Sequence, residues 1–107
     1  RAIMGAIADR FSKEIIITTD NPRFEDPELI CKDILEGCKR TSKIDIELNR
    51  KVAISQALES SKKYNNPVIL VLGKGDEEYQ VIYDQKFPLN DKKIIEDLLN
   101  ENLYYYK

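Results

Sequence analysis

A three-layer α/β fold with a mostly parallel sheet is the architecture this 107-residue sequence predicts. A continuous β-branched run, residues 15–19, and an apolar run, residues 68–72, carry the prediction, together with the helix-like segments set between and around them. A strand with one face in water alternates apolar and polar residues, whereas a strand covered on both faces does not. Unbroken apolar strands separated by helices make a sheet sandwiched between helical layers, a Rossmann-like arrangement.

In chain order, residues 2–10 read as a short helix with Ile3, Met4 and Ile7 as its apolar positions. Ile15-Ile16-Ile17-Thr18-Thr19 is β-branched throughout and reads as a strand buried on both faces. Pro22 pushes Asn21 towards extended geometry and stops it. Asp26 is a good N-cap, Pro27 suits the first helical position, and Glu28 falls in the first turn, where the helix dipole favours an acid. The stripe Ile30, Cys31, Ile34, Leu35 and Cys38 follows, with Gly37 as terminator. Ile44, Ile46 and Leu48 alternate with polar residues, as in a half-exposed strand over 44–48. Asn49 caps a helix over 50–62 with Ala53, Ile54, Ala57, Leu58 and Ser61 inward. Tyr64-Asn65-Asn66-Pro67 is a turn, and 68–72 the second fully buried strand. Residues 79–83 and 86–87 suggest a hairpin around Asp84-Gln85. Asn90 caps a last helix over 91–101, apolar at Ile94, Ile95, Leu98 and Leu99. The chain opens on helix-like sequence with no strand ahead of it, so it reads as a single domain, 1–107, cut from a longer protein.

Composition removes several classes of function. Net charge is −2 with both signs mixed along the chain, so neither nucleic acid nor an anionic membrane is an expected partner. No apolar run approaches the roughly 20 residues that span a bilayer, and there is no signal peptide, which predicts a cytoplasmic protein. With no histidine in the sequence, no imidazole base or metal ligand can come from this chain. Cys31 and Cys38 lie about two helical turns apart, roughly 10 Å, too far for a disulfide within one helix. They read as buried small apolar residues.

In open α/β sheets, ligands collect beyond the carboxyl ends of the strands. That rule selects Asp20-Asn21-Pro22-Arg23 and Gly73-Lys74-Gly75-Asp76-Glu77. In the first, a rigid turn presents a guanidinium, which can hold a carboxylate or phosphate through two parallel bonds, and Asn21 can both donate and accept. A strand-end turn with a solvated arginine is the plainer alternative. In the second, glycines permit close backbone approach and two acids could hold an ammonium; a loop shaped only for its geometry is the alternative. The Walker A and dinucleotide glycine patterns are both absent. Together the loops bracket a zwitterion and suit an amino acid better than a nucleotide.

At these residues the sequence resembles the Mur ligases, in their tripeptide-synthetase branch, over nearly the whole chain. Arg1-Ala2-Ile3-Met4-Gly5 resembles the family's Arg-Pro-x-Met-Gly segment. Thr18-Thr19-Asp20-Asn21-Pro22-Arg23 with Glu25-Asp26-Pro27 resembles its signature, and Asp33-Ile34 and Gly37 continue it. Asn49-Arg50 with Ala53-Ile54 is similar to its Asp-Arg-x-x-Ala-Ile helix start. Gly73-Lys74-Gly75, Glu77 and Tyr79-Gln80 are similar to its Gly-Lys-Gly-His-Glu-x-Tyr-Gln loop.

The resemblance implies the C-terminal, amino-acid-binding domain of a three-domain ligase of peptidoglycan synthesis. Such enzymes use ATP and Mg2+, held mainly by a central domain, to make an acyl phosphate of UDP-N-acetylmuramoyl-L-Ala-D-Glu. The amine of the incoming amino acid then attacks. The C-terminal domain binds that amino acid and closes over the reaction, which is catalysis by positioning. Asp-Asn-Pro-Arg marks enzymes that choose meso-diaminopimelate over lysine. By this resemblance Arg23 would pair with the distal carboxylate, helped by Asn21, with Asp20 of the same motif also in the substrate site, while Gly73 and Glu77 would hold the amino-acid end. Lysine would leave Arg23 partly desolvated and unpaired, a strong basis for rejection. No catalytic residue and no metal ligand is implied.

Two departures matter. Asp76 stands where the family has His, a change that could alter pH dependence and leaves doubly charged diamino acids such as lanthionine open as substrate; a lysine-adding ligase is a separate alternative. The family's preceding Arg-Asp segment, and with it the domain's first strand, is absent, so the piece alone is expected to be inactive. Arg50 reads as structural, and Tyr104-Tyr105-Tyr106 as a packed or frayed tail. The rivals are a receiver-like phosphorelay module, with Asp20 and Lys74 as its acid and lysine, and a plain interaction module.

Overall fold

The computed structural model describes residues 1–39 and 43–105, with side chains through Glu101. Its order is α1 (Ala2–Phe11), β1 (Glu14–Ile17), α2 (Pro27–Glu36), β2 (Lys43–Ile46), α3 (Arg50–Ser61), β3 (Tyr79–Ile82), β4 (Gln85–Pro88) and α4 (Asp91–Tyr105). β1 and β2 pair in parallel, Glu14 opposite Lys43 through Ile17 opposite Ile46. β3 and β4 form the expected antiparallel hairpin. Helices α1, α2 and α3 all pack on β1, and α4 packs on α3. The α/β class is as expected, with a short parallel sheet.

The caps behave as their chemistry requires. Asp26 accepts from Glu28 N at 2.9 Å with Pro27 at the first helical position. Asn49 accepts from Val52 N at 3.1 Å, and Asn90 from Lys93 N at 2.9 Å. Ala53 and Ile54 are buried on α3 as expected, with Ala57, Leu58 and Ser61 half-buried beside them. Both cysteines are free thiols. Cys31 is fully buried and Cys38 partly so, and burial pushes both thiols up in pKa.

Glycines explain how α1 meets α2. A Cβ on Gly5 would lie 1.9 Å from the Ile34 carbonyl oxygen, and one on Gly37 would lie 1.7 Å from that of Ala2. The two helices touch backbone to backbone, so any larger residue drives them apart. Gly37 does end α2, but with φ −76° and not in the left-handed conformation; close approach to α1 is what requires glycine there. The buried face of α1 is Gly5 and Asp9, while Ile3, Met4 and Ile7 are exposed.

The second expected strand is a correction. Residues 68–72 make no ladder bonds among the described residues. Val68, Leu70 and Leu72 are 83%, 75% and 72% exposed. Apolar composition reports a tendency to be covered, not the partner that would cover it. β1 is likewise less enclosed than its composition implies, with Ile17 buried but Ile15 and Ile16 only half-buried. The tyrosine side chains at 104–106 lie outside the described residues.

Candidate functional site

Beyond β1 the chain continues extended, and its next residues dock on the edge of the hairpin. Arg23 N donates to Val81 O at 3.1 Å, and Tyr83 N donates to Arg23 O at 2.7 Å. Asn21 Oδ1 accepts from Val81 N at 2.9 Å. Gln80 Nε2 donates to Thr19 Oγ1 at 3.0 Å and to Asp20 O at 2.8 Å. The hairpin therefore holds the first loop residue by residue. At Arg23 this docking imposes φ +51°, a left-handed backbone that a non-glycine residue adopts at a cost.

Two buried cations join this loop to the rest. Arg50, 3% exposed, bonds Asp91 through two nitrogens at 2.8 and 2.7 Å. It also donates to Thr19 O at 2.9 Å and Leu72 O at 3.0 Å. One guanidinium thus ties α3 to α4 and to the residues entering both loops, which is the structural role expected of it. Lys74 is the second cation, 2% exposed. Its Nζ donates to Asn21 Oδ1 at 3.2 Å, to Glu77 Oε2 at 3.3 Å and to the Tyr79 carbonyl. Asp20 Oδ1 lies 3.8 Å from it.

These contacts bring Asp20, Asn21, Gly73 and Glu77 into one cluster. Asn21 Nδ2 donates to Glu77 Oε2 at 3.1 Å, so both ends of the Asn21 amide are spent inside the protein. Gly73 has φ +111°, and a Cβ there would stand 3.0 Å from Asp20 Oδ2. It is glycine for its own turn and for Asp20's approach. The Asn21 bond first, then that of Lys74, holds the Glu77 carboxyl below the ordinary glutamate range; desolvation opposes and Arg23's charge assists.

Two groups remain available to a ligand, and a third is buried. The Arg23 guanidinium makes no ion pair or hydrogen bond among the described residues, and neither does Glu77 Oε1. Asp20 Oδ1 is buried without a hydrogen-bond partner. A cavity of about 550 Å³ opens beside Arg23, lined also by Thr19, Asn49, Lys51, Gln80 and Tyr83. Of the five residues expected in the site, only Arg23 lines it; the other four form the cluster next to it. Sequence reasoning left Gln80 without a role, gave Asn90 only that of a helix cap, and gave Lys74 a part only in the receiver-like alternative. Asn90 Nδ2 donates to Glu77 O at 3.2 Å, so the cap of α4 also steadies the second loop. A lysine between two glycines was the signal for Lys74.

The Mur ligase, glutamate ligase domain matches residues 1–75. The chain belongs to the Mur ligase family. It is 48% identical over 103 residues to the UDP-N-acetylmuramoyl-L-alanyl-D-glutamate--2,6-diaminopimelate ligase of Buchnera aphidicola subsp. Acyrthosiphon pisum, covering 96% of the chain and 20% of that protein. It is 46% identical over 101 residues to the ligase of the same name from Clostridium botulinum, covering 94% and 20%. With that of Aquifex aeolicus the identity is 40% over 99 residues, covering 92% and 20%. The chain therefore spans about a fifth of the length of the curated relatives it matches.

Mur ligases depend on ATP, but these residues do not fit ATP and its metal. Among the described residues no three metal-ligating side chains gather, and Lys74 points inward onto protein acceptors. No described helix is long and apolar enough to cross a membrane.

Proposed function

We propose that residues 1–107 are the amino-acid-binding domain of a cytoplasmic ligase that adds meso-diaminopimelate to UDP-N-acetylmuramoyl-L-Ala-D-Glu. ATP and Mg2+ would be held outside this chain. The supporting observation is the unpaired Arg23 guanidinium, fixed at positive φ beside a cavity and near enough to the Glu77 carboxylate for its charge to be felt there. That pairing of one free cation with the unbonded Glu77 Oε1 suits a zwitterion carrying a further carboxylate. Arg23 takes the distal carboxylate by two charge-assisted bonds, and Glu77 Oε1 takes an ammonium. Asp20, Asn21 and Gly73 shape the Glu77 side of the site. The domain's contribution to the reaction is to hold the amine in place for attack. The relatives' names support the substrate class, since those ligases are named for 2,6-diaminopimelate. Family membership sets the receiver-like and plain interaction readings aside, although Asp20 and Lys74 do lie together.

The test is amino-acid-dependent ATP hydrolysis by the full-length protein with the UDP-muramoyl dipeptide, comparing meso-diaminopimelate, lanthionine and L-lysine. Turnover with diaminopimelate, and a KM for it raised roughly tenfold or more by Arg23→Ala, is expected from the loss of a charged bond. Preference for lysine, or an unchanged KM, would overturn the assignment of Arg23.

A further inference from the structure

We infer that Lys74 is a positioning residue that fixes the orientation of Asn21 and Glu77 and sets the charge of the ammonium-binding side of the site. The inference rests on the amino-acid-site reading above and deepens it. Its basis is how the loop is built. Gly73 and Gly75 both have positive φ, +111° and +57°. A Cβ on Gly75 would meet nothing within 4 Å, so that glycine is required by its backbone angle alone. Two left-handed residues on either side turn the lysine inward. The Gly-Lys-Gly segment is thus a device for burying an ammonium, not a cradle for phosphate.

The buried ammonium then decides two things. By occupying Asn21 Oδ1 together with Val81 N, it fixes which way that amide faces. Asn21 Nδ2 is left to Glu77 Oε2, which Lys74 also holds. Both bonds fall on the same carboxylate oxygen, so Oε1 is the one presented. Second, Lys74 sets the net charge. Its side chain is fully enclosed, whereas Asp20 and Glu77 are 46% and 51% exposed. Two carboxylates against one ammonium leave one negative charge, the complement of a single incoming ammonium. Among the charged groups near Glu77, Lys74, Arg23 and Asp20 face it from the two loops, and Asp76 and Glu78 flank it in the chain. Lys74 is the only one of these that is buried and bonded to it. A lysine serving stability alone would need no bond to a half-exposed carboxylate.

The experiment uses the full-length ligase, with KM for meso-diaminopimelate measured against pH for Lys74→Met, Glu77→Gln and the double variant. Lys74→Met is expected to raise KM roughly tenfold, as for a lost charge-assisted bond, with kcat little changed and the acid limb of kcat/KM moved to higher pH. The double variant is expected to be no worse than Glu77→Gln alone, because one residue acts through the other. Losses that simply add, or an acid limb that does not move, would overturn the inference. If Lys74→Met does not fold, Asn21→Ala removes one acceptor of Lys74 and one donor to Glu77, and the same shift and the same non-additivity are required of it. A Glu77→Gln variant with unaltered KM defeats the amino-acid-site reading, and the inference with it. Additive losses beside a strong Glu77→Gln effect defeat the inference alone.

Discussion

Arg50 and Lys74 are both buried cations at the carboxyl side of this fold, yet they sit in opposite settings. Arg50 faces Asp91, whose side chain is as enclosed as its own, at 2% and 5% exposure. Lys74 is as deep, but its carboxylate partners are half in water. Arg50 borders the cavity beside Arg23, but its guanidinium is spent on Asp91, Thr19 O and Leu72 O, and so it holds elements together. A pair with one partner outside keeps a charge that something else can bind. The first is scaffold; on the proposed reading the second serves the amino-acid site, and the difference lies in the burial of the anion.

The largest expected effect breaks the scaffold pair. Asp91→Ala leaves the Arg50 charge buried without a counter-ion, and removing one partner of such a pair costs about 3–5 kcal/mol. The Arg50→Met, Asp91→Leu double variant should cost less than Asp91→Ala alone, since no charge is then stranded. Chemical denaturation of the domain's transition in the full-length protein measures both. A double variant as unstable as the single would mean that Arg50 matters for its bonds to Thr19 O and Leu72 O more than for its charge.

Gly73→Ala comes next. The backbone at φ +111° and the 3.0 Å approach to Asp20 Oδ2 both resist a methyl group. A strained position of this kind costs about 1–3 kcal/mol. The loss should be accompanied by a raised KM for the amino acid, because the change displaces Asp20 and the Lys74 loop together. Lost stability with intact binding would separate Gly73 from the site.

How much of this was legible in the sequence follows the same division. Caps at Asp26, Asn49 and Asn90 are local chemistry, and each is where the residues put it. The hairpin and the parallel pairing of β1 were equally readable from pattern. Residues 68–72 were not, because an apolar run states a need for cover without naming what supplies it. Of the five expected site residues, Asp20, Asn21, Gly73 and Glu77 form one cluster, with Arg23 on the cavity beside it. The sequence could not tell that Asn21 faces inward, or that Gly73 also makes room for Asp20. The first depends on Lys74, whose burial arises from positive φ at two neighbours and long-range docking on the hairpin. Asp91 was equally hidden: one acid at a helix start looks like any other until Arg50 is found opposite it.

A smaller effect should appear at acid pH. The Glu77 carboxyl is held below its ordinary value of 4.5, chiefly by Asn21 and then by Lys74. A depressed carboxylate contributes stability that is fully present above its unfolded pKa and is lost as pH falls through the folded value. The window therefore opens below 4.5 and extends downward. Titration of the full-length protein's stability should show Glu77→Gln less sensitive to acid than the parent across that window. Because Glu77 is half-exposed, the difference should be slight and weaker in salt. Equal acid sensitivity would mean that Lys74 and Asn21 do not grip the carboxylate in solution.

The smallest effect isolates burial from geometry. Arg1 holds Glu25 at 2.7 Å and Asp33 at 3.1 Å, distances comparable to those of Arg50 with Asp91. Its side chain is nevertheless 38% exposed, and its partners are more so. Exposed pairs gain little, because water already solvates both charges and salt screens what attraction is left. Arg1→Gln should therefore lower the denaturation midpoint only slightly at low salt, and not at all in molar salt. The Asp91→Ala loss should persist at both salt concentrations, since its charges are out of reach of ions. If Arg1→Gln instead costs as much as Asp91→Ala and salt does not relieve it, short contacts and not burial define the scaffold. The distinction between Arg50 and Lys74 would then have to be sought in their bonding geometry.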